Sequence, residues 1–134
     1  MCGEWSQADT DCTKYLNYVG AGTRWEGTYS NSQRAYCPTA KSANGPKCSC
    51  DGANADPTTY SNDYKTWLRT YAEAQMSVFE TAQGWFYWTW QTESAAQWSY
   101  KTAWKNGFMP SKAFSRDFKC GDPVPSFGSL PESY

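Results

Sequence analysis

The sequence feature that most constrains the fold is an unbroken run of large side chains, Trp85-Phe86-Tyr87-Trp88-Thr89-Trp90. Aromatic and β-branched residues favour strands, in which successive side chains point to opposite faces. The run therefore predicts a strand with Phe86, Trp88 and Trp90 on one face and Trp85, Tyr87 and Thr89 on the other. Because both faces are apolar or aromatic, we expect a central strand that is covered on both sides.

The segment before this strand has the pattern of an amphipathic helix from about Asn62 to Ala82. Ser61 is its predicted N-cap, and Gly84 is expected to end it. Large side chains recur at helical spacing, and they predict a buried stripe of Tyr64, Trp67, Leu68, Tyr71, Gln75, Val78 and Phe79.

The other predicted elements are short. Strands are expected at residues 1–6 and Thr23–Tyr29, and a helix at Asp9–Tyr18. A second helix is expected from Ser94, which opens a capping-box pattern, to about Asn106, with Gly107 just after its end.

These elements predict an α/β fold, with a central sheet and helices packed on it in a small αβα-sandwich-like arrangement. Residues 1–134 are expected to form a single glycan-binding domain, in which 30–57 is a long loop and about 121–134 an irregular tail. The length also excludes a complete (β/α)₈ barrel, which needs roughly 200 residues or more.

Composition excludes several classes of function. The net charge is −1 and the basic residues are scattered, so nucleic acid is not an expected partner. No apolar run approaches the length of about 18 residues that crosses a bilayer, so membrane insertion is not expected. The chain has no histidine, which excludes Ser-His-Asp and Cys-His catalysis.

Six cysteines indicate disulfide bonds and an oxidising compartment. We therefore expect all six to be oxidised in a secreted, extracellular protein, although no leader pattern is visible and a leaderless cytoplasmic protein is the alternative. Without histidine or a CxxC pair of cysteines, a zinc site is not expected, and neither is any other metal or cofactor.

Three segments resemble a known family. They are Gly3-Glu4-Trp5-Ser6 with the following 10–17, then 63–69, and then the long segment 84–110, which contains the aromatic run. Together they resemble the C-terminal third of the fungal exo-β-1,3-glucanases of glycoside hydrolase family 5. The resemblance covers nearly the whole chain outside 30–57 and the tail.

The resemblance implies roles for three residues. Glu4 matches the nucleophile at the end of barrel strand seven, and Trp88 and Trp90 match the tryptophans of strand eight that wall the sugar subsite. Retaining glycosidases need a second carboxyl group roughly 5 Å from the nucleophile. The family's acid/base glutamate lies on strand four, which has no counterpart in this chain, so the sequence predicts no catalytic residue of its own.

The size, the aromatic content and the truncated character also resemble the small glycan-binding lectins of ink-cap mushrooms. This resemblance implies a fungal carbohydrate-binding protein without catalysis, and a homodimer joined through sheet edges. The expected glycan-binding residues are Glu4, Trp5, Trp25, Trp88, Trp90 and Glu93, with the core as the equal alternative for Trp88 and Trp90. Asp11 and Asn17 are expected to bond locally.

Two alternatives remain beside the lectin. One is a remnant or rebuilt β-glucanase that uses Glu4 as its nucleophile. The other is a structural or toxic effector that uses its aromatic residues only for the core. Hydrolysis of a glucan or an aryl glucoside separates the enzyme from the lectin, and glycan binding separates the lectin from the effector.

Overall fold

The computed structural model describes residues 2–29 and 48–131. They form two compact units: one combines the residues up to Ala8 with Asp56–Ser129, and the other contains Asp9–Ala55 and the residues from Leu130. The elements, in chain order, are β1 (Glu4–Trp5), α1 (Asp51–Asn54), α2 (Asn62–Phe79), β2 (Phe86–Tyr87) and α3 (Tyr100–Lys105). Two 3-10 helices, Pro57–Thr59 and Ala96–Trp98, precede α2 and α3.

In the first unit, β1 and β2 form a parallel pair in which Glu4 lies opposite Phe86 and Trp5 opposite Tyr87. The backbone N–H of Trp88 donates to the Trp5 carbonyl at 2.8 Å and extends the pairing. Parallel neighbours need a crossover connection, and α2 lies on that connection. The fold is therefore mixed α/β, but the described residues form only a two-stranded sheet and not the predicted αβα sandwich.

Helix α2 begins where the sequence predicts. The Ser61 hydroxyl accepts a hydrogen bond from the backbone N–H of Tyr64 at 3.1 Å, so Ser61 is the N-cap. The helix ends at Phe79, earlier than expected. Its buried stripe runs through Tyr64, Leu68, Ala72 and Met76, whereas Val78 is exposed. The stripe is therefore rotated from the predicted one: Ala72 and Met76 are fully buried, whereas Trp67 and Tyr71 are only partly buried.

The predicted six-residue strand is much shorter in the structure. Only Phe86 and Tyr87 are strand residues, and the last bond to β1 comes from the N–H of Trp88. From Thr89 onward the backbone pairs instead with the segment before α3: the N–H of Thr89 donates to the Trp98 carbonyl at 2.7 Å. The peptide bond between Trp88 and Thr89 is cis.

Burial along this strand alternates, but only one face is covered. Phe86, Trp88 and Trp90 are 62%, 55% and 58% exposed, whereas Trp85, Tyr87 and Thr89 are partly covered. The expectation of a central strand covered on both faces was therefore wrong for the described residues, although the alternation itself was predicted correctly.

The second predicted helix is divided in two. Ser94 does not cap it; the Thr92 hydroxyl instead accepts from the N–H of Ala95 at 3.2 Å in a local turn. The N-cap of α3 is Ser99, whose hydroxyl accepts from the N–H of Thr102 at 3.2 Å. Gly107 follows the helix with φ +86°, a left-handed conformation that glycine adopts without strain, and this confirms its predicted place.

In the second unit, the predicted helix at Asp9–Tyr18 is absent. The segment forms successive turns, closed by bonds such as that from the N–H of Leu16 to the Thr13 carbonyl at 3.2 Å. Tyr15 and Tyr18 have positive φ values, which a helix does not allow. The Cys12–Cys50 disulfide, rather than an apolar helix face, fixes this segment.

The predicted strand at Thr23–Tyr29 is also wrong, because this segment is a tight loop. The backbone N–H groups of Thr28 and Tyr29 both donate to the Thr23 carbonyl, at 2.9 and 3.1 Å. Side chains within the loop compete with strand pairing, since the Thr23 hydroxyl accepts from the N–H of Glu26 at 3.2 Å. A Cβ atom at Gly22 would clash with the Thr28 side chain, so only glycine fits there.

The disulfides only partly match the sequence prediction. Cys12 is bonded to Cys50, and Cys48 is also disulfide-bonded, which is consistent with an extracellular location. Cys2 and Cys120 are free thiols, so the expectation that all six cysteines are oxidised was wrong for these two. Most of the predicted loop at 30–57 lies outside the described residues.

No helix in the described parts of the chain is long and apolar enough to cross a membrane.

Candidate active site

An exposed carboxylate and three exposed aromatic rings belong to the β1–β2 pair and to the residues that follow β2. Glu4 is exposed while Trp5, its neighbour on β1, is 8% exposed. Because partners in register share a face, Glu4 projects from the same side of the sheet as Phe86. Glu4, Phe86, Trp88 and Trp90 are called the open face below.

The open face has the chemistry of a sugar-binding surface. Indole and phenyl rings stack on the apolar C–H faces of pyranose rings, and a carboxylate can accept hydrogen bonds from hydroxyl groups. A carboxylate can also act as a nucleophile at an anomeric carbon. Of the predicted site residues, Glu4 lies in register beside the exposed Phe86, and Trp88 and Trp90 are exposed in the residues that follow β2. Phe86 was absent from the predicted site, although the predicted strand alternation gives it the same face as Trp88 and Trp90.

Trp5 lies on the opposite, covered side of the sheet. Its ring makes edge contacts with Phe79, Trp85 and Tyr87, at centroid distances of 5.6, 5.4 and 5.0 Å. Its indole N–H is buried without a hydrogen-bond partner among the described residues. Trp5 is thus part of the core, and its predicted ligand contact does not fit its burial.

The two remaining predicted site residues lie elsewhere. Glu93 is exposed in the turn that follows Trp90. Trp25 belongs to the second unit, where its backbone N–H donates to the Asp11 carboxylate at 2.9 Å. The Asp11 carboxylate also accepts from the Asn17 amide at 2.7 Å, so both residues bond locally, as the sequence predicted. The predicted ligand contacts of Glu93 and Trp25 stay predictions.

On the covered side of the strand pair lies a buried hydrogen-bond network that was not predicted from the sequence. The Tyr87 hydroxyl donates to the Gln97 carbonyl at 2.9 Å and accepts from the backbone N–H of Gln7 at 3.3 Å. Burial raises the pKa of the Tyr87 hydroxyl far above its usual range, so the group stays protonated and can donate. The network links β1 to the segment before α3.

Trp90 is supported by residues at the start of α3. Its ring stacks on Tyr100 with a centroid distance of 6.0 Å and an interplanar angle of 20°. Its carbonyl accepts from the backbone N–H of Lys101 at 3.0 Å. These contacts hold the exposed indole against the start of α3.

A groove of about 480 Å³ lies beside α2, away from the open face, and its walls include Arg69, Glu73 and Asp117. Glu73 is buried and both of its oxygens are used: one accepts from Arg69 Nε at 2.9 Å, and the other from the N–H groups of Asp117 and Phe118. Arg69 also pairs with Asp117 at 2.6 Å. These charges are paired with one another and anchor the chain after α3.

A metal centre is not evident in the described residues. Within 2–29 and 48–131, no three or more Cys, Asp or Glu side chains are grouped so that they could hold a metal ion.

Comparison with known proteins identifies relatives over the whole chain. The chain is 76% identical to the probable glucan 1,3-beta-glucosidase D of Aspergillus terreus, 73% to that of Aspergillus clavatus and 71% to that of Aspergillus fumigatus. All of the chain is matched in each case, but it spans only 16% of each relative, in its C-terminal part. No protein-family model matches the chain.

These relatives overturn the lectin prediction. They are named as glucosidases, so the expected function of a mushroom-type lectin without catalysis was wrong. The prediction depended on the missing second carboxylate. Since the matched segment is a small part of each relative, a carboxylate that is missing from it says nothing against hydrolysis by the longer protein. The chain is homologous, from end to end, to the C-terminal part of fungal proteins named probable glucan 1,3-beta-glucosidase D.

Proposed function

We propose that this chain is the segment of a longer glucan 1,3-β-glucosidase that supplies the nucleophile, Glu4, and part of the aromatic wall around the terminal glucose. Residues outside this chain would supply the acid/base carboxyl group. The observation that carries the proposal is the open face, where an exposed carboxylate on the first residue of β1 lies in register beside the exposed ring of Phe86.

The site chemistry fits hydrolysis with a covalent intermediate. In this mechanism the Glu4 carboxylate attacks the anomeric carbon of the terminal glucose, while the acid/base group protonates the glycosidic oxygen of the departing chain. A bond forms from the glutamate oxygen to carbon as the glycosidic bond breaks. The acid/base group then takes a proton from water, which attacks the same carbon and releases glucose and free Glu4.

The rings of the open face would bind the sugar rather than react. A glucose ring has apolar C–H faces, and Trp88 and Trp90 present exposed indole surfaces on which such a face can stack. Because an aromatic wall excludes water from one side of the sugar, it also strengthens the interaction of Glu4 with the positive charge that develops at the anomeric carbon.

The proposal is tested by the variant Glu4→Gln in a longer protein that contains this segment. We expect kcat on laminarin and on an aryl β-glucoside to fall by about 1000-fold or more, because the amide is not a nucleophile. The matched control is Asp51→Asn, which changes an exposed carboxylate that has no predicted role in the site and should leave kcat within about threefold.

The isolated 134-residue chain should hydrolyse neither substrate, because it lacks the second carboxyl group that the mechanism needs. A Glu4→Gln enzyme with full activity would overturn the proposal. So would hydrolysis by the isolated chain that Glu93→Gln abolishes, since this would make Glu93 part of a different active site.

A further inference from the structure

We propose that the buried Tyr87 hydroxyl is a positioning group that holds the strand of Glu4 in place against the aromatic wall. This inference depends on the proposed role of Glu4 as nucleophile. It concerns a residue that touches no substrate, because Tyr87 lies on the covered side of the sheet, directly opposite Trp5 in register.

The strand that carries Glu4 has little regular pairing to hold it. β1 is only two residues long, and its last backbone bond to the neighbouring strand joins the Trp5 carbonyl to the N–H of Trp88. Beyond that point the Tyr87 hydroxyl takes over, because it accepts from the backbone N–H of Gln7 at 3.3 Å. One side chain of β2 therefore extends the pairing of β1 by two residues.

The same hydroxyl is anchored on its other side. It donates to the Gln97 carbonyl at 2.9 Å, in the 3-10 helix before α3, and Gln97 is 5% exposed. The Tyr87 hydroxyl thus bridges two backbone groups, one after β1 and one before α3.

The side chain of Gln7 also connects the backbone after β1 to the core. This side chain is fully buried, and its amide nitrogen donates to the carbonyls of Leu68 on α2 at 2.7 Å and of Phe108 after α3 at 2.6 Å. The backbone that follows Glu4 is therefore tied to β2, to α2 and to the chain after α3. Of these ties, only the one to β2 depends on the Tyr87 hydroxyl.

Loss of this hydroxyl should affect the reaction more than substrate binding. Without it, the Gln7 N–H and the Gln97 carbonyl lose a partner in a region where water has little access, and the end of β1 is free to shift. A displacement of a reacting group by about 1 Å can cost roughly 100-fold in rate. The aromatic wall that binds the sugar remains, so KM should change little.

The test is Tyr87→Phe in the full-length enzyme, which removes only the hydroxyl. We expect kcat on an aryl β-glucoside to fall about tenfold while KM stays within about twofold. The rate of covalent inactivation by a 2-deoxy-2-fluoroglucoside, which reports attack by the nucleophile, should fall in parallel.

The matched control is Tyr64→Phe. The Tyr64 hydroxyl is also buried and accepts from the side chain of Gln97 at 2.6 Å, but Tyr64 lies on α2 and not on the strand pair. Both variants should lower the melting temperature by a similar amount. Only Tyr87→Phe should show the split between kcat and KM.

Two results would overturn the inference. One is a Tyr87→Phe enzyme with unchanged kcat and inactivation rate; the other is an equal fall of kcat in both variants, which would reflect general destabilisation. Glu4→Gln is measured in the same series. If Glu4→Gln remains active, the proposed function itself is wrong. If Glu4→Gln is inactive but Tyr87→Phe has unchanged kcat, only the role of Tyr87 is wrong.

Discussion

At the scale of single residues, environment decides the role of otherwise similar side chains. Glu4 and Glu73 are both glutamates of the first unit, but Glu4 is exposed beside aromatic rings and Glu73 is buried with both oxygens bonded. A buried carboxylate whose two oxygens both accept hydrogen bonds from the protein is not accessible to a substrate. This contrast places the candidate chemistry at Glu4.

Asp11 is the carboxylate that organises the second unit. It accepts from the backbone N–H groups of Arg24 and Trp25 and from the Asn17 amide, at distances of 2.7 to 2.9 Å. Burial raises the pKa of the Asp11 carboxyl, but these three hydrogen bonds outweigh it, so the pKa lies below its usual range. The charged form is therefore the one that stabilises the loop.

We expect Asp11→Asn to lower the free energy of unfolding at about pH 7 by roughly 1–3 kcal/mol, because charge-assisted bonds are weakened or lost. The folded-state pKa is depressed, so this contribution is fully present above the unfolded-state pKa of about 3.9. It is lost as the pH falls through the lower folded-state pKa.

Urea denaturation at about pH 7 and about pH 2 measures this effect, since the difference between the two proteins should shrink strongly at the acidic end. Asp51→Asn, an exposed carboxylate at the start of α1, is the control and should be close to neutral at both pH values. A difference for Asp11→Asn that does not change with pH would contradict the role of its charge.

At the scale of elements, α2 stabilises the first unit through two different sets of side chains. Its apolar stripe packs in the core, while Arg69 and Glu73 hold the segment around Asp117. Within the groove, the same Arg69 pairs with one buried and one exposed carboxylate, because Glu73 is 1% and Asp117 77% exposed at the side chain. Because both carboxylates pair with Arg69, substituting each in turn compares the stability contributed by a buried ion pair with that of an exposed one.

We expect Glu73→Gln to lower the free energy of unfolding by about 2–3 kcal/mol, because the amide leaves Arg69 and two backbone N–H groups poorly paired in a buried place. Hydrogen exchange at the N–H groups of Asp117 and Phe118 should become faster, since both donate to Glu73.

Asp117→Asn is the matched control for this prediction. Its pair with Arg69 is exposed, and we expect a change within about 0.5 kcal/mol. Equal effects of the two substitutions, or unchanged exchange at Phe118 in Glu73→Gln, would show that the buried carboxylate does not anchor this segment.

The elements that could be predicted were those set by local signals. The start of α2 followed from Ser61 and a long helical pattern, and the alternation of Phe86, Trp88 and Trp90 followed from strand geometry. The segments at 9–18 and 23–29 could not be predicted, because the disulfide to Cys50 and the bonds to Asp11 override weak local preferences.

At the scale of the whole molecule, the candidate site was predicted only where a resemblance supplied roles. Glu4, Trp88 and Trp90 were predicted from matched motifs. The hydrogen bonds of Gln7 to Tyr87 and Leu68 join distant parts of the chain, and no local sequence pattern predicts them. The lectin prediction failed because the absence of an acid/base group from this segment does not decide the function of a longer protein. The relatives show that the matched segment is one part of a longer protein.

The predicted homodimer through sheet edges stays a prediction. Within the described residues, β1 and β2 pair only with each other, so each has an outer edge with unused backbone groups. A second copy of the chain could pair with such an edge, but strands from elsewhere in a longer protein could do so equally well. The proposed function favours the second arrangement, because the acid/base group must also come from outside the chain.

The most direct test of the central claim is to identify the residue that a 2-deoxy-2-fluoroglucoside labels in the longer protein. Peptide mass spectrometry should find one fluoroglucosyl group on the peptide that contains Glu4, and no labelling in Glu4→Gln, because a retaining mechanism passes through a glucosyl ester of its nucleophile. Labelling of a different carboxylate, or hydrolysis by an inverting mechanism without any covalent intermediate, would contradict the role of Glu4.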